Sequence, residues 1–160
     1  MWYVAFLLFS FSSRSLIHHI QFASARSLLV LLQSLVFPNE NEINVLNLNK
    51  TTIKLFTTIS NRTQSSRALG WDTNDYVMNS YRGCGNLSHT TFTHTGYTGT
   101  QICADPEREL ITILLTNRVY PRADESSLEK IHQARQLFNN VVLEVWNFTN
   151  NATTTHTKYS

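Results

Sequence analysis

The sequence predicts an α+β protein in which helices flank an antiparallel sheet. Two glycines, Gly96 and Gly99, lie among hydroxyl residues and mark a tight turn between short strands. A further apolar strand follows a second turn that contains Pro106. Before and after this region, apolar residues recur at three- and four-residue spacings, which is the period of an amphipathic helix.

The composition indicates one globular domain without a nucleic-acid surface. A chain of 160 residues can bury one core, and a hydrophobic share of 42% is typical of a folded protein. The 13 Lys and Arg residues nearly balance the 11 Asp and Glu residues and form no basic run. We therefore expect no nucleic-acid partner.

Residues 1–21 form an apolar N-terminal segment whose role stays open. The run Trp2–Phe9 is apolar enough for a signal peptide, and Ala23-Ser24-Ala25 has the small residues of a cleavage site. No positive charge precedes the run and the small residues lie far downstream, so a truncated start at Met1 is favoured. We expect no transmembrane span, because no apolar run reaches roughly 18–20 residues.

Two helices and one strand are predicted before the central sheet. Ser24 can cap the first helix, whose leucines recur at helical spacing until a proline ends it. The second helix is predicted over Asn49–Thr58, entered through a polar cap. Arg67–Asp72 is predicted as a strand with Leu69 and Trp71 on one face.

The central strands follow a turn-rich loop predicted over residues 73–90. Thr98–Ala104 should pair with Leu110–Thr116 as an antiparallel hairpin, because only a few residues separate them. Asp105-Pro106-Glu107-Arg108 supplies the turn, since proline presets the backbone angle of the second position. We interpret both carboxylates of this turn as surface residues.

The last predicted helix begins at Asp124, a suitable cap. The face expected to lie across the sheet is an apolar stripe of Leu128, Ile131, Leu137, Phe138, Val141, Val142 and Val145. Residues 147–160 are rich in Asn and Thr without periodicity and are expected to form a disordered tail. The domain is therefore predicted over residues 22–146.

The two cysteines, Cys84 and Cys103, allow one disulfide at most, and two buried thiols are the expected state unless the chain is secreted. Together with His89 and His94 they are four possible zinc ligands, but their spacing is not that of a usual zinc site, so we expect no metal.

Five N-x-Ser/Thr sequons are present, at Asn49, Asn61, Asn86, Asn147 and Asn151. In a chain this rich in Asn and Thr they are weak evidence for secretion.

The segment that starts at His94 carries a resemblance to a known group. His94-Thr95-Gly96 is followed by Tyr97-Thr98-Gly99-Thr100, then Asp105-Pro106-Glu107, then Leu115-Thr116-Asn117-Arg118. This order resembles the C-terminal part of the serine β-lactamase-like hydrolases, which include penicillin-binding proteins, class C-type β-lactamases and related esterases. Weaker matches to the same group lie at Phe22–Ala25, Leu55–Thr58 and Ala68–Asp72. The resemblance implies a partial β-lactamase/transpeptidase-like fold.

The resemblance implies a role for each residue of the His-Thr-Gly motif, which is the third active-site motif of the group. His94 takes the place of the usual lysine, as a cation or hydrogen-bond donor at the substrate, and Thr95 offers its hydroxyl. Gly96 lets the substrate lie close to the strand, because a side chain would fill the cleft. The backbone N–H of Tyr97 would be one of two oxyanion donors.

The sequence departs from the group in its other two motifs. The nucleophile motif Ser-x-x-Lys should precede His94, but it occurs only as Ser127-Leu128-Glu129-Lys130, which follows it. The second motif, Tyr-x-Asn or Ser-x-Asn, is absent, because Tyr76-Val77-Met78-Asn79 has one residue too many. We therefore expect a C-terminal fragment of a serine hydrolase that lacks its nucleophile and base and is inactive alone.

Two functions follow from these observations. The first is acyl transfer on a small ester, amide or β-lactam substrate, without a cofactor, once an N-terminal part completes the site. The second is a non-catalytic β-lactamase-like protein with a binding or structural role. An extracytoplasmic or secreted location is weakly favoured by the sequons.

Overall fold

The computed structural model describes residues 5–9, 19–37, 46–75 and 83–156. The helices are α1 (Ala25–Val36), α2 (Lys50–Thr57) and α3 (Glu125–His156). The strands are β1 (Ala5–Phe9), β2 (His19–Ala23), β3 (Asp72–Thr73), β4 (Phe92–Thr95), β5 (Gln101–Asp105) and β6 (Leu110–Leu114). The predicted α+β class is confirmed.

The larger sheet is antiparallel, with four strands in the order β3-β4-β5-β6. The predicted hairpin is confirmed with shorter bounds, since β5 and β6 pair from Gln101↔Leu114 to Asp105↔Leu110. On the other side of β5 lies β4, where His94 is opposite Ile102. The His-Thr-Gly motif therefore lies where β4 ends and turns into β5.

The sheet is covered on both faces, because successive residues of a strand point to opposite sides. One face packs against α1 in a cluster of Leu28, Leu32, Phe92, Ile102 and Ala104. The other face packs against α3 in a cluster of Cys84, Leu87, Cys103 and Leu143. Every residue of β5 is buried as a result.

Side-chain caps explain where the three helices begin. The N–H of Ser27 donates to Ser24 Oγ at 3.1 Å, and the N–H of Thr52 donates to Asn49 Oδ1 at 2.8 Å. The N–H of Ser127 likewise donates to Asp124 Oδ1 at 2.7 Å. Each cap satisfies a first-turn N–H that has no partner within its helix.

The buried face of α3 differs from the predicted apolar stripe. Over residues 125–151, where burial is described, the buried residues of α3 are Ile131, Arg135, Asn139 and Leu143. Four members of the predicted stripe are exposed instead, namely Leu128, Leu137, Val141 and Val145. The prediction holds for Ile131 and was wrong for these four residues. It considered apolar residues alone, whereas an arginine and an asparagine with polar partners occupy the buried row.

The expected disordered tail is helical over most of its length, because α3 continues to His156. Thr149 Oγ1 donates to the Val145 carbonyl at 3.1 Å, and Asn150 Nδ2 donates to the Trp146 carbonyl at 2.9 Å. Polar side chains of this kind bond back to the preceding turn and so remain compatible with a helix. Residues 157–160 lie outside the described part of the chain.

Arg67–Asp72 forms a turn instead of the predicted strand. The N–H of Ala68 donates to the Trp71 carbonyl at 2.9 Å, and Arg67 and Asp72 form an isolated bridge across the turn. Leu69 is 52% exposed, whereas Trp71 packs against the α1 cluster. The two side chains therefore do not share a face.

The apolar N-terminal segment contains β1, which pairs with β2 from Ala5↔Ala23 to Phe9↔His19 in a sheet of two strands. Residues 1–4 and 10–18 lie outside the described residues, so the signal-peptide and truncation interpretations remain predictions. Among the helices that the structure describes, none combines the length and the apolar character needed to span a membrane.

Candidate functional site

The candidate site is the turn that follows β4. The N–H of Gly96 donates to the Thr100 carbonyl at 2.8 Å, and the N–H of Gly99 donates to the Gly96 carbonyl at 3.0 Å. These two bonds close the turn and direct the chain back into β5. The turn therefore holds His94, Thr95 and Tyr97 close together at one end of the sheet.

Gly99 is required by this turn for two reasons. Its φ is +101°, a region that residues with a side chain rarely adopt. A Cβ atom at this position would also lie 2.6 Å from Thr116 Oγ1 and 2.9 Å from Ile131 Cγ1. A larger residue would therefore push α3 or the segment that follows β6 away from the turn.

His94 is half-buried beside an aromatic side chain. Its ring lies edge-on to Trp71 with 6.4 Å between ring centroids. Its Nδ1 is 3.1 Å from the Thr95 carbonyl oxygen, and because a carbonyl can only accept, Nδ1 carries the proton. This places the lone pair of a neutral ring on Nε2.

The environment favours the neutral form of His94. Burial lowers the pKa of His94 and the Arg67 guanidinium lowers it further, while the Thr95 hydrogen bond and the Asp72 carboxylate act in the opposite direction. The pKa lies below its ordinary value of 6.5 as a result. At neutral pH the His94 ring is therefore a hydrogen-bonding group without a fixed charge.

Tyr97 has an exposed side chain, with 57% of its surface accessible, and a firmly held backbone. Its carbonyl accepts a hydrogen bond from Arg118 Nε at 2.8 Å, and the guanidinium carbon of Arg118 lies 4.8 Å from the centroid of the Tyr97 ring. Within the described residues, the Tyr97 N–H donates to no backbone carbonyl. Arg118 thus fixes the peptide that follows Tyr97, and the Tyr97 N–H has no backbone acceptor among the described residues.

Arg135 of α3 holds the preceding peptide, which joins Gly96 to Tyr97, and was missed by sequence reasoning. It is 4% exposed and donates to the Gly96 carbonyl at 3.2 Å, the Gly99 carbonyl at 3.1 Å and the Thr100 carbonyl at 3.2 Å. A donor bond from a guanidinium to the Gly96 carbonyl polarises the peptide that carries the Tyr97 N–H. The sequence signal that could have identified Arg135 is its place in the row with Ile131, Asn139 and Leu143.

A polar network continues from Arg135 beneath the turn. Asn139 Nδ2 donates to the Arg135 carbonyl at 2.8 Å and to Gln101 Oε1 at 3.2 Å, and Asn139 Oδ1 accepts from Thr112 Oγ1 at 2.6 Å. All four residues are buried. A satisfied buried network of this kind fixes the position of α3 on the sheet.

The turn between β5 and β6 corrects one prediction. Asp105 is fully buried, not a surface residue. Its carboxylate accepts from the Ser88 hydroxyl at 2.6 Å, from the Ser88 N–H at 3.0 Å and from Arg108 Nη1 at 3.0 Å. These bonds join the turn to the segment before β4. Glu107, on the other side of the proline, is exposed as predicted.

Ser127-Leu128-Glu129-Lys130 is the start of a helix and not a nucleophile site. Ser127 Oγ donates to the Asp124 carbonyl at 2.7 Å and accepts from Arg118 Nη1 at 3.2 Å. Lys130 is exposed on the first turns of α3. The remaining partial motif, Tyr76–Asn79, lies outside the described residues.

Cys84 and Cys103 form a disulfide, which corrects the expectation of two buried thiols. The bond joins the segment before β4 to the middle of β5. A disulfide also removes both sulfurs from the four possible zinc ligands, and no cluster suited to a metal ion occurs among the described residues.

A cavity of about 420 Å³ lies between α1, α2 and the segments flanking β4. Its lining includes the apolar side chains of Leu35, Ile53 and Phe92 and the basic side chains of Lys54 and Arg62. None of His94, Thr95, Gly96 and Tyr97 lines this cavity. The cavity is therefore separate from the candidate site.

Comparison with known proteins gives one match. A family model described as Beta-lactamase matches residues 17–136, which is most of the chain and ends one residue after Arg135. No curated protein and no solved structure matches the chain. The matched range contains the whole candidate turn and the arginines that hold it.

Proposed function

The chain belongs to the beta-lactamase family, and we propose that it forms the substrate-facing wall of a serine hydrolase that acts on esters or amides. The family match indicates a serine hydrolase-type function with an acyl substrate. In this proposal the turn after β4 binds the substrate, and a segment outside these 160 residues supplies the nucleophilic serine.

The observation that carries the proposal is the backbone of Tyr97. Arg135 donates to the Gly96 carbonyl and Arg118 donates to the Tyr97 carbonyl, so arginines hold two successive peptides, the one that carries the Tyr97 N–H and the one after it. An oxyanion donor works best when it is fixed before the charge develops, and one such donor typically accounts for ~10²–10³ in rate. The Tyr97 N–H meets that requirement.

The neighbouring residues have matching roles in this proposal. His94 contacts the substrate as a neutral hydrogen-bonding group, because its environment lowers its pKa. Thr95 has an exposed side chain at the end of β4 and offers its hydroxyl to the substrate. Gly96 is buried and carries no side chain that would stand between the turn and an acyl group. A neutral histidine favours uncharged esters and amides over substrates whose carboxylate needs a cation.

The missing nucleophile limits what the chain does alone. None of the serines before His94 is followed by a lysine at the third position, and Ser127 is engaged by Asp124 and Arg118. We therefore expect binding without turnover. A labelled fluorophosphonate, which reacts with activated serines, should leave the chain unmodified, and stoichiometric labelling would contradict this part of the proposal.

Binding is tested by nuclear magnetic resonance of the isotope-labelled chain. The probe is an alkyl methylphosphonate, whose tetrahedral anion imitates the oxyanion, and an alcohol with the same alkyl group is the control ligand. The Tyr97 amide signal should shift with the phosphonate only. Tyr97→Pro removes the N–H and should abolish binding, whereas Tyr97→Phe keeps the N–H and should bind. If no amide of the turn shifts, the proposed oxyanion role is wrong.

A second candidate function is a non-catalytic β-lactamase-like protein that binds or stabilises a partner outside the cytoplasm. The disulfide between Cys84 and Cys103 supports it, because disulfides persist in oxidising compartments. An antibody against the helix Ser126–Asn140 distinguishes the two functions on extracts of the source cells. A band well above 18.4 kDa supports a longer hydrolase. A band at that mass or slightly above supports the non-catalytic protein.

A further inference from the structure

One of the five sequons differs from the others in its local geometry. Asn61 lies in an exposed loop between α2 and β3. Its Oδ1 accepts hydrogen bonds from the Thr63 N–H at 3.0 Å and from the Thr63 hydroxyl at 2.7 Å. The two polar groups of the sequon, the Asn carboxamide and the Thr hydroxyl, are therefore in direct contact.

The loop that carries Asn61 is short and locally determined. The N–H groups of Gln64 and Ser65 both donate to the Asn61 carbonyl at 3.1 Å, and Arg62 pairs with Asp75 at 2.5 Å. The contacts within the sequon span only two residues, so they can form before the rest of the chain folds. Residues 60–64 are all exposed, which leaves room for a bulky group.

Two of the other sequons lie within α3, where this contact is impossible, and a third begins at Asn49, the cap before α2. Residues two apart in a helix lie about 200° apart around the axis and do not face each other. In α3, the Thr149 hydroxyl of the Asn147 sequon donates to helical carbonyls instead, and the backbone of the Asn151 sequon is helical as well. At the start of α2, Asn49 Oδ1 receives the Thr52 N–H and not its own sequon hydroxyl.

The Asn86 sequon is committed to the core. Leu87 and Ser88, its second and third residues, are buried. The Ser88 hydroxyl donates to Asp105 Oδ1 at 2.6 Å, and the Asn86 N–H donates to Asn140 Oδ1 at 2.8 Å. Asn86 therefore has no sequon hydroxyl available to its carboxamide.

We propose that Asn61 is an N-glycosylation site and that the chain folds in an oxidising secretory compartment. The disulfide between Cys84 and Cys103 is an independent observation for the same compartment, because such bonds are rare where thiols are kept reduced. The inference does not depend on the proposed hydrolase function. The glycan would stand on the loop before β3.

The modification is a group transfer from a lipid-linked diphospho-oligosaccharide. Asn61 Nδ2 attacks the anomeric carbon of the first sugar, and a C–N bond forms while the C–O bond to the diphosphate breaks. The lipid diphosphate leaves with the electron pair, and Nδ2 loses one proton to a base of the transferase. The hydrogen bonds from Thr63 to Oδ1 stabilise the negative charge that develops on the carboxamide.

The test directs the full chain into the secretory lumen of a eukaryotic host. The purified protein is treated with peptide N-glycosidase in heavy-oxygen water, which converts each glycan-bearing Asn into a labelled Asp, and peptide mass spectrometry reads all five sequons. We expect the label at Asn61 and not at Asn86. The glycan should also slow the chain in electrophoresis. This mobility shift should be lost in Asn61→Gln and in Thr63→Val, and kept in Thr63→Ser and in the control Asn86→Gln.

Two results would overturn the proposal. One is an unlabelled Asn61 in lumenal protein whose Cys84–Cys103 disulfide has formed. The other is a mobility shift that survives both Asn61→Gln and Thr63→Val. Because Asn61 and Thr63 are exposed loop residues, neither substitution removes a core contact, and circular dichroism of the variants verifies that they are folded.

Discussion

Arg135 shows how one buried charged residue determines the geometry of the candidate site. A buried arginine is costly unless its donors are satisfied. Arg135 bonds to three carbonyls of the turn after β4, so its planar guanidinium fixes the positions of Gly96, Gly99 and Thr100 relative to α3. A single side chain thus connects the helix to the peptide that carries the Tyr97 N–H.

Replacing Arg135 should destabilise the protein strongly. Arg135→Met removes three donor bonds to buried carbonyls, two of which keep a backbone partner. The loss should lower the free energy of unfolding by about 3 kcal/mol, since hydrogen bonds to charged groups contribute about 1.5–3 kcal/mol. Arg135→Lys should fall between Met and wild type, because an ammonium lacks the planar fork of the guanidinium. Urea unfolding measures the difference. The control is Arg122→Met on an exposed residue, and equal midpoints for the two Met variants would contradict the assigned role.

At the scale of secondary-structure elements, contacts between segments decide which faces are buried. α3 turns its row with Arg135 and Asn139 toward the sheet, and leaves Leu137, Val141, Val145 and Phe148 exposed. The segment before β4 is held to β5 by the Cys84–Cys103 disulfide and to the β5–β6 turn by Asp105. These links position β4, and with it the candidate turn.

The disulfide between Cys84 and Cys103 should contribute substantially to stability. The two cysteines are 19 residues apart, and closing a loop of about that size in the unfolded chain is worth about 3 kcal/mol. The double substitution to serine should therefore lower the urea midpoint, and a reductant should lower the wild-type midpoint to a similar value. As a control, the reductant should not change the urea midpoint of the double variant. A wild-type midpoint that is insensitive to reductant would contradict the prediction.

At the scale of the whole molecule, titrating groups make stability depend on pH. Burial lowers the pKa of His94 and of His132, and nearby arginines lower them further. For Asp105, burial raises the pKa, but hydrogen bonds from Ser88 and Arg108 outweigh it and hold the pKa below its ordinary value of 3.8. In each case the folded state binds its proton less tightly than the unfolded state does.

Stability should therefore fall in two stages as the pH is lowered. Below about pH 6.5, the ordinary histidine value, the unfolded state gains protons at His94 and His132 before the folded state does, which favours unfolding. Below about pH 3.8, the ordinary aspartate value, the same holds for Asp105. Thermal melts across pH measure both stages. His94→Gln should reduce the loss of stability in the first stage and should not change the loss in the second. If the double variant His94→Gln/His132→Gln loses as much stability as wild type in the first stage, the assignment of that stage to the two histidines is wrong.

The sequence by itself determined the parts of the fold that depend on neighbouring residues. Ser24, Asn49 and Asp124 cap the three helices as predicted, because capping needs only the first turn. The hairpin of β5 and β6 and the turn containing Pro106 were also predictable, since alternation and turn chemistry are local. The Beta-lactamase family match is consistent with the resemblance read from the segment that starts at His94.

Only the tertiary structure decided what depends on residues far apart in the chain. It paired Cys84 with Cys103, buried Asp105 against Ser88 and placed Arg135 at the Gly96 carbonyl. It also lowered the pKa of His94, because burial and the surroundings of a side chain are set by packing. The physical reason is common to all four: a polar residue or a cysteine can be buried only where a distant partner meets it, and composition and periodicity do not say which partner that is.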